Sequence, residues 1–233
     1  MESAAETPAP RKDIFATERN QYSQHGEELV IRDFFQDRRG GVFLDVGAAW
    51  PVHDSNTYYL ERELGWSGVA VDAFSEHESR WIRRRPNSKF FNFIVTDHSG
   101  TVETFYRHKN KDMIGVSRLT PEEGLGRRED FEEVQIPTIT LTELLDQVGV
   151  SKIDLLSMDI EGHELTALAA FDIERFAPEL VCIEVHGKTR TPVIESFAAH
   201  DYVRLEQYNE RDKANYYFVP ARIARERAES GPE

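Results

Sequence analysis

Five short apolar runs recur along this chain, and each ends on or beside an acidic residue. They are "GVFLDVG" (41–47) with Asp45, "GVAVDAF" (68–74) with Asp72, "KFFNFIVTD" (89–97) with Asp97, "IDLLSMD" (153–159) with Asp159, and "ELVCIEVH" (179–186) with Glu184 and His186. Runs of this length without polar alternation read as strands buried on both faces. Helix signals lie between them. Asp54 and Ser55 stand as caps before a stripe of Thr57, Leu60 and Leu64, and Ser75 with Glu78 and Thr140 with Glu143 have capping-box spacing. Strands alternating with helices predict a parallel sheet covered on both sides. "YVRLEQY" and "NYYFVP" near the end add an antiparallel hairpin. In open sheets of this kind, ligands bind beyond the carboxyl ends of the strands. The pattern therefore sets five acids along one ligand-facing edge.

Charge narrows the partners. The 233 residues carry 28 bases against 42 acids, a formal net charge of −14. That field repels a phosphate backbone and argues against nucleic acid. The basic groups Arg83-Arg84-Arg85 and Arg127-Arg128 are short and flanked by acids, so they read as solvated faces. The single cysteine, Cys182, lies inside "LVCIEV" and reads as a buried inert thiol. Without a signal peptide or a long apolar run, the expectation is a cytoplasmic protein with no membrane partner. Residues 1–20 and 222–233 read as polar tails around a single domain at 21–221, and the aperiodic stretch 107–133 reads as a substrate-facing lid.

The turn after the first run discriminates between cofactors. An acid ending the second strand, Asp72, suits the ribose of either NAD or S-adenosylmethionine. NAD also needs a glycine-rich turn so that backbone amides can approach a pyrophosphate. "GAAWPVHDS" offers one glycine, then bulk and an acid, which block and repel phosphate. S-adenosylmethionine carries a sulfonium and an ammonium instead, and Asp45 beside Gly47 suits them. An NAD oxidoreductase is the weaker reading.

The segments "YSQHGEELVIRDFF", "FLDVGAAWPVHDSNTYYLERELGWSGVAVD", "PTITLTELL", "IDLLSMDIEGHE" and "VCIEV" resemble, in order and spacing, the FkbM-type methyltransferases. The likeness runs from Tyr22 to Pro220. It implies a class I methyltransferase Rossmann-like fold: a mostly parallel seven-stranded sheet with a C-terminal antiparallel hairpin and helices on both faces. It further implies that Asp45, Gly47 and Ala48 line the methionine end of S-adenosylmethionine, that Asp72 and Ala73 hold the ribose, and that Thr96 and Asp97 flank the adenine. Two positions depart from the family pattern. Asp72 stands where Glu is frequent, and Met158 stands where a Lys often precedes the Asp of the "DIEG" motif.

Gln24, His53 and Asn56 are further candidates for cofactor contact, while His25 reads as a surface residue. Asp159, Glu161 and His186 are the candidate catalytic residues, and Glu164 reads as a helix cap. Glu184 and His186 are open to two readings, a buried satisfied pair or a functional one. Acids at the ends of these two strands hold Mg²⁺ in catechol-type O-methyltransferases, so Mg²⁺ or Mn²⁺ at Asp159 and Glu184 is a further expectation. The expected activity is S-adenosylmethionine-dependent O-methylation of a hydroxyl on a sugar, natural product or other small metabolite. N- or C-methylation and a non-catalytic cofactor-binding scaffold are the alternatives.

Overall fold

The computed structural model describes residues 11–110 and 127–229. In chain order its strands are β1 (Val42–Val46), β2 (Ser67–Asp72), β3 (Ser88–Asn92), β4 (Ile94–Val95), β5 (Val102–His108), β6 (Phe131–Ile139), β7 (Leu155–Met158), β8 (Leu180–Glu184), β9 (Tyr202–Arg204) and β10 (Asn215–Pro220). Seven of them form one sheet in the order β3-β2-β1-β7-β8-β10-β9. Strands β3, β2, β1, β7 and β8 pair in parallel, and β10 runs antiparallel to both β8 and β9. This is the class I methyltransferase Rossmann-like arrangement. Strand order reverses at β1, which places the switch point between the β1 and β7 turns.

The strands read as continuous apolar runs because both sheet faces are covered. Leu44, Val69, Leu156 and Val181 face one core, with α5 (Leu141–Val148) and α8 (Arg190–Ala199) packed on it. Phe43, Leu155, Leu180 and Cys182 face the other, against α2 (Glu27–Phe35) and α3 (Tyr58–Leu64). Cys182 is buried, as its setting implies.

Several local expectations change. Helix α3 begins at Tyr58 rather than at the Asp54-Ser55 pair, with Asp54 at φ 55° and the N-cap Thr57 hydroxyl turned inward to Asp45. Ser75 opens a 3₁₀ turn, Ser75–His77, with no side-chain cap, whereas Thr140 does accept from the Glu143 N–H at 3.2 Å. The third run breaks at Phe93, so β3 ends on Asn92 and Asp97 lies beyond the separate strand β4.

The putting of tails at both ends also needs correction. Residues 11–20 include a short helix, α1 (Ile14–Thr17), whose Ile14 is fully buried, and Arg11 reaches Asp33. Residues 221–229 form helix α9 (Ala221–Glu229), with Ile223 against the α2 core. Strands β5 and β6 form an antiparallel pair that joins β4 in a second sheet, and His108 pairs with Phe131. The two ends of the expected lid at 107–133 are therefore strand, held by Arg107 between Glu132 and Glu76, and residues 111–126 lie outside the described residues.

The third correction concerns charge. Arg85, read as part of a solvated face, follows α4 (Glu78–Arg84) and is completely buried. Its Nε donates to Glu61 at 2.6 Å, and its terminal nitrogens donate to the Pro51 carbonyl at 3.1 Å and to Thr57 Oγ1 at 2.9 Å. A buried cation severed from its partners leaves an uncompensated carboxylate behind. Arg85→Ala is expected to cost about 3–5 kcal/mol of unfolding free energy, while Arg84→Ala one residue earlier stays within roughly 0.5 kcal/mol. Urea unfolding of the two variants checks this, and equal midpoints would contradict the buried assignment.

Candidate active site

The turn after β1 carries the closest backbone approach at the carboxyl edge. Gly47 has φ 79°, and a Cβ there would stand 1.7 Å from the Asp159 carbonyl oxygen. The expectation gave this glycine a ligand-approach role. What demands it is the neighbouring backbone, since the Asp159 N–H also donates to the Val46 carbonyl at 2.9 Å. The amides of Gly47 and Ala48 both point to the Val71 carbonyl, at 3.0 and 3.3 Å, so they form no cradle for phosphate. Ala48 is buried against Ala70 and Trp81.

Two buried acids line this turn. Asp45 accepts from Thr57 Oγ1 at 2.6 Å, and Thr57 in turn accepts from Arg85. Burial holds Asp45 above the usual carboxylate range, with Thr57 and Arg85 opposing that rise. Asp72 is clamped by two amides, Ala49 N–H at 2.8 Å and Phe74 N–H at 2.7 Å, one to each oxygen. Burial nonetheless pushes it up to about 6, against the pull of those amides. Each oxygen keeps acceptor capacity for a further donor.

The other expected cofactor residues separate into two groups. Ala73 packs beside Phe74, Ile94 and Phe105, and Thr96 is buried beneath the end of β4. Asn56 donates to Ser157 on β7 at 3.1 Å, next to Asp45 in register. Asp97, by contrast, is half-exposed and pairs with His98 at 2.8 Å, which holds its carboxyl below the usual range. The acid expected at the third strand end is replaced by Asn92, which donates to the Asp72 carbonyl. His53 is exposed and lies against Trp50, 4.7 Å between ring centres.

Across the Gly47 contact lies the second group. The "DIEG" turn is left-handed at Glu161 (φ 56°) and Gly162 (φ 95°). Glu164, fully buried, accepts from the Ile160 and Gly162 amides and fixes that turn. It thus holds the turn before its helix, whose N-cap His163 supplies no side-chain cap. Asp159 and Glu184 are near enough to shift one another: Glu184 draws the Asp159 carboxyl down, and Asp159 pushes the Glu184 carboxyl up. Asp159 opens to solvent on one side but is enclosed by protein on the others. This enclosure raises its pKa, while Glu184, His186 and His25 oppose the rise. Burial and the charges of Asp159, Glu161 and Glu164 push Glu184 up to about 9. His186 Nε2 stands 2.9 Å from Glu184 Oε2, yet that oxygen makes no hydrogen bond. The pair is thus neither satisfied nor simply buried. Glu161, Glu184 and His186 each offer a ligand atom within 4.8 Å of the others, whereas Asp159 is engaged by Glu184 and stands outside that group.

Sequence reasoning reached Gln24 on the N-terminal strap but missed the strap's other contacts, the support from Arg85 and Thr57, and His77. Residues 22–27 run along the carboxyl edge: the Tyr22 carbonyl accepts from the Ser55 N–H at 3.0 Å, and Glu27 accepts from Asn215 Nδ2, whose residue pairs with Glu184. Gln24 is exposed on this strap, and His25 beside it is close enough to lower the pKa of Asp159. Arg85 and Thr57 support Asp45 from below. His77 is almost wholly buried, with both ring nitrogens unpartnered, between Trp50 and Phe74; burial lowers it to about 4. No short motif signals any of these, because each depends on a contact between distant segments.

A family model described as Methyltransferase FkbM domain matches residues 45–211. No curated protein matches the chain by sequence. Among solved structures, the chain is similar to a TehB-like SAM-dependent methyltransferase from Corynebacterium glutamicum, at 13% identity over 89% of this chain and 92% of that one (TM-score 0.46). A candidate RNA methyltransferase from Pyrococcus horikoshii shares 12% identity over 86% of each chain (TM-score 0.45). A methyltransferase from Pyrococcus furiosus shares 11% over 82% and 81% (TM-score 0.39).

The Asp159–Glu184 pair has a pH signature. Glu184 binds its proton more tightly when folded (about 9) than at its ordinary value of 4.5. Its stabilising contribution is therefore complete below 4.5 and declines as pH rises toward 9. Asp72, raised to about 6, and His77, lowered from 6.5 to about 4, contribute to the slope mainly below about pH 7.5. Glu184→Gln, which mimics the protonated form, is expected to flatten the fall in unfolding midpoint above that pH and to exceed the wild type at pH near 9. Parallel wild-type and variant slopes in urea titrations at stepped pH would contradict the raised Glu184 carboxyl.

Proposed function

We propose that this chain, which belongs to the methyltransferase FkbM family, is an O-methyltransferase acting on a hydroxyl of a sugar, natural product or other small metabolite. The coarser activity, S-adenosylmethionine-dependent methyl transfer, follows from that membership. The observation that supports the finer reading is the division of the carboxyl edge at the Gly47–Asp159 contact. Buried, amide-clamped Asp72 lies on one side, and a proton-handling cluster of Asp159, Glu161, Glu184 and His186 on the other.

The residues fit the cofactor. The turn lacks a phosphate cradle, and the acids suit a cationic ligand. Asp72 has lone pairs left for the ribose hydroxyls, with Ala73 beside it and Thr96 toward the adenine end. Asp45, Gly47, Ala48 and Asn56 surround the methionine end, and Gln24 on the strap is positioned to close over it. When bound, S-adenosylmethionine supplies an electrophilic methyl group on a sulfonium.

The chain's own task is to hold a hydroxyl in line with that methyl and to accept its proton. Glu184, protonated at neutral pH, orients Asp159 and does not serve as the base. Asp159, Glu161 and half-exposed His186 are the groups that can receive the proton. Among the described residues no helix is long and apolar enough to cross a membrane, and the acceptor is taken to be a small molecule.

Calorimetry tests the cofactor assignment. Asp72→Asn removes the carboxylate's charge-assisted bonds, each about 1.5–3 kcal/mol, and is expected to weaken S-adenosylmethionine at least tenfold. Wild-type affinity in the variant would remove Asp72 from the ribose site. The atom methylated is read by mass spectrometry of the product, and a methyl on nitrogen or carbon would overturn O-transfer.

A further inference from the structure

The contact between Glu184 and His186 is anomalous for a hydrogen bond and ordinary for a metal site. Glu184 Oε2 and His186 Nε2 lie 2.9 Å apart with no hydrogen bond between them. Two donors bound at right angles to a first-row divalent cation, each about 2.1 Å from it, stand about 3 Å apart. A third donor, from Glu161, completes a group whose ligand atoms all lie within 4.8 Å of one another. Opposed donors on such an ion are separated by about 4.2 Å, so small side-chain rotations bring the three onto one centre.

The backbone favours this convergence. Glu161 is held at φ 56°, a conformation unusual for a residue with a side chain, in a turn fixed by buried Glu164. Strand β8 brings Glu184 to the same edge, and His186 follows two residues later. Asp159 follows β7 in the same turn, outside the group of three.

We propose that Glu161, Glu184 and His186 bind a divalent transition-metal cation. Two carboxylates and one imidazole suit Mn²⁺ or Fe²⁺ better than Mg²⁺, which favours oxygen donors and retained water. Three protein donors leave coordination positions open toward the cleft. Its role there, though not the site itself, rests on the methyl-transfer reading: a cation beside the acceptor lowers the pKa of a hydroxyl bound to it. His186 and Glu161 then hold the cation, and Asp159 remains the nearby proton acceptor.

Mn²⁺ itself is the probe. Electron paramagnetic resonance of the full chain, titrated with MnCl₂ at pH 7.5 (roughly neutral, where imidazole is a free ligand), reads the loss of the free-ion signal without any acceptor or activity. One Mn²⁺ per chain is expected. His186→Ala and Glu184→Gln should each weaken it about tenfold or more, while Asp97→Asn, in a surface acid pair, should leave it unchanged. No binding by the wild type at millimolar Mn²⁺, or equal binding by all four proteins, would overturn the site. S-adenosylmethionine calorimetry on the same samples separates the outcomes. Cofactor binding without Mn²⁺ binding rejects only the metal, and Mn²⁺ binding without cofactor binding rejects the methyl-transfer reading.

Discussion

The contact between the turns after β1 and β7 organises this protein. Gly47 has no side chain, and the space a Cβ would take is filled by the carbonyl of Asp159. Two ligand-facing turns can then meet at the switch point of the sheet, one carrying the cofactor acids and the other the acid–histidine cluster. Any other residue at 47 would push those halves apart and incur left-handed strain as well. Transfer chemistry depends on such placement, because small errors in the distance between reacting groups are costly in rate.

Burying charge at this edge has a cost that the chain offsets with local networks. Arg85, wholly inside, satisfies Glu61, Thr57 and the Pro51 carbonyl, and through Thr57 it steadies Asp45. Asp72 is met by two backbone amides. These partners keep the acids oriented, while burial holds them closer to neutral pH than free carboxylates. The cluster across the turn solves the same problem differently. Asp159, Glu161 and Glu164 push the Glu184 carboxyl upward, and one Glu184 oxygen is left facing His186 without a hydrogen bond. Unsatisfied buried oxygens are uncommon in native proteins and point to a missing partner.

Much of the frame was legible because hydrophobic patterning is local. The runs ending at Asp45, Asp72, Asp159 and Glu184 become neighbouring strands, and the terminal hairpin takes its antiparallel place. Capping signals were less dependable. Thr140 caps its helix, but α3 starts after the Asp54-Ser55 pair, and its N-cap Thr57 spends its hydroxyl on Asp45. The segment around residues 102–108 and 131–139 lacked a readable signal, because its strands expose paired charges such as Arg107 and Glu132 on one side and bury only a narrow face with Phe105 and Ile136.

By itself, the sequence determined the alternating sheet, the acids closing its strands and a first turn unsuited to phosphate, since each is a property of a few consecutive residues. Tertiary structure alone decided which charges are inside and which groups meet. Arg85 looks like its exposed neighbours Arg83 and Arg84 until α4 packs and sets its guanidinium over Trp81 and against Glu61. Asp97 looks like its fellow strand-end acids until the chain breaks at Phe93 and turns it outward. Glu161, Glu184 and His186 become one cluster only when β7 and β8 lie side by side. Periodicity records which face of an element is apolar. Burial of a charge and the convergence of donors depend on distances between segments far apart in the chain, and those are set only when the sheet closes.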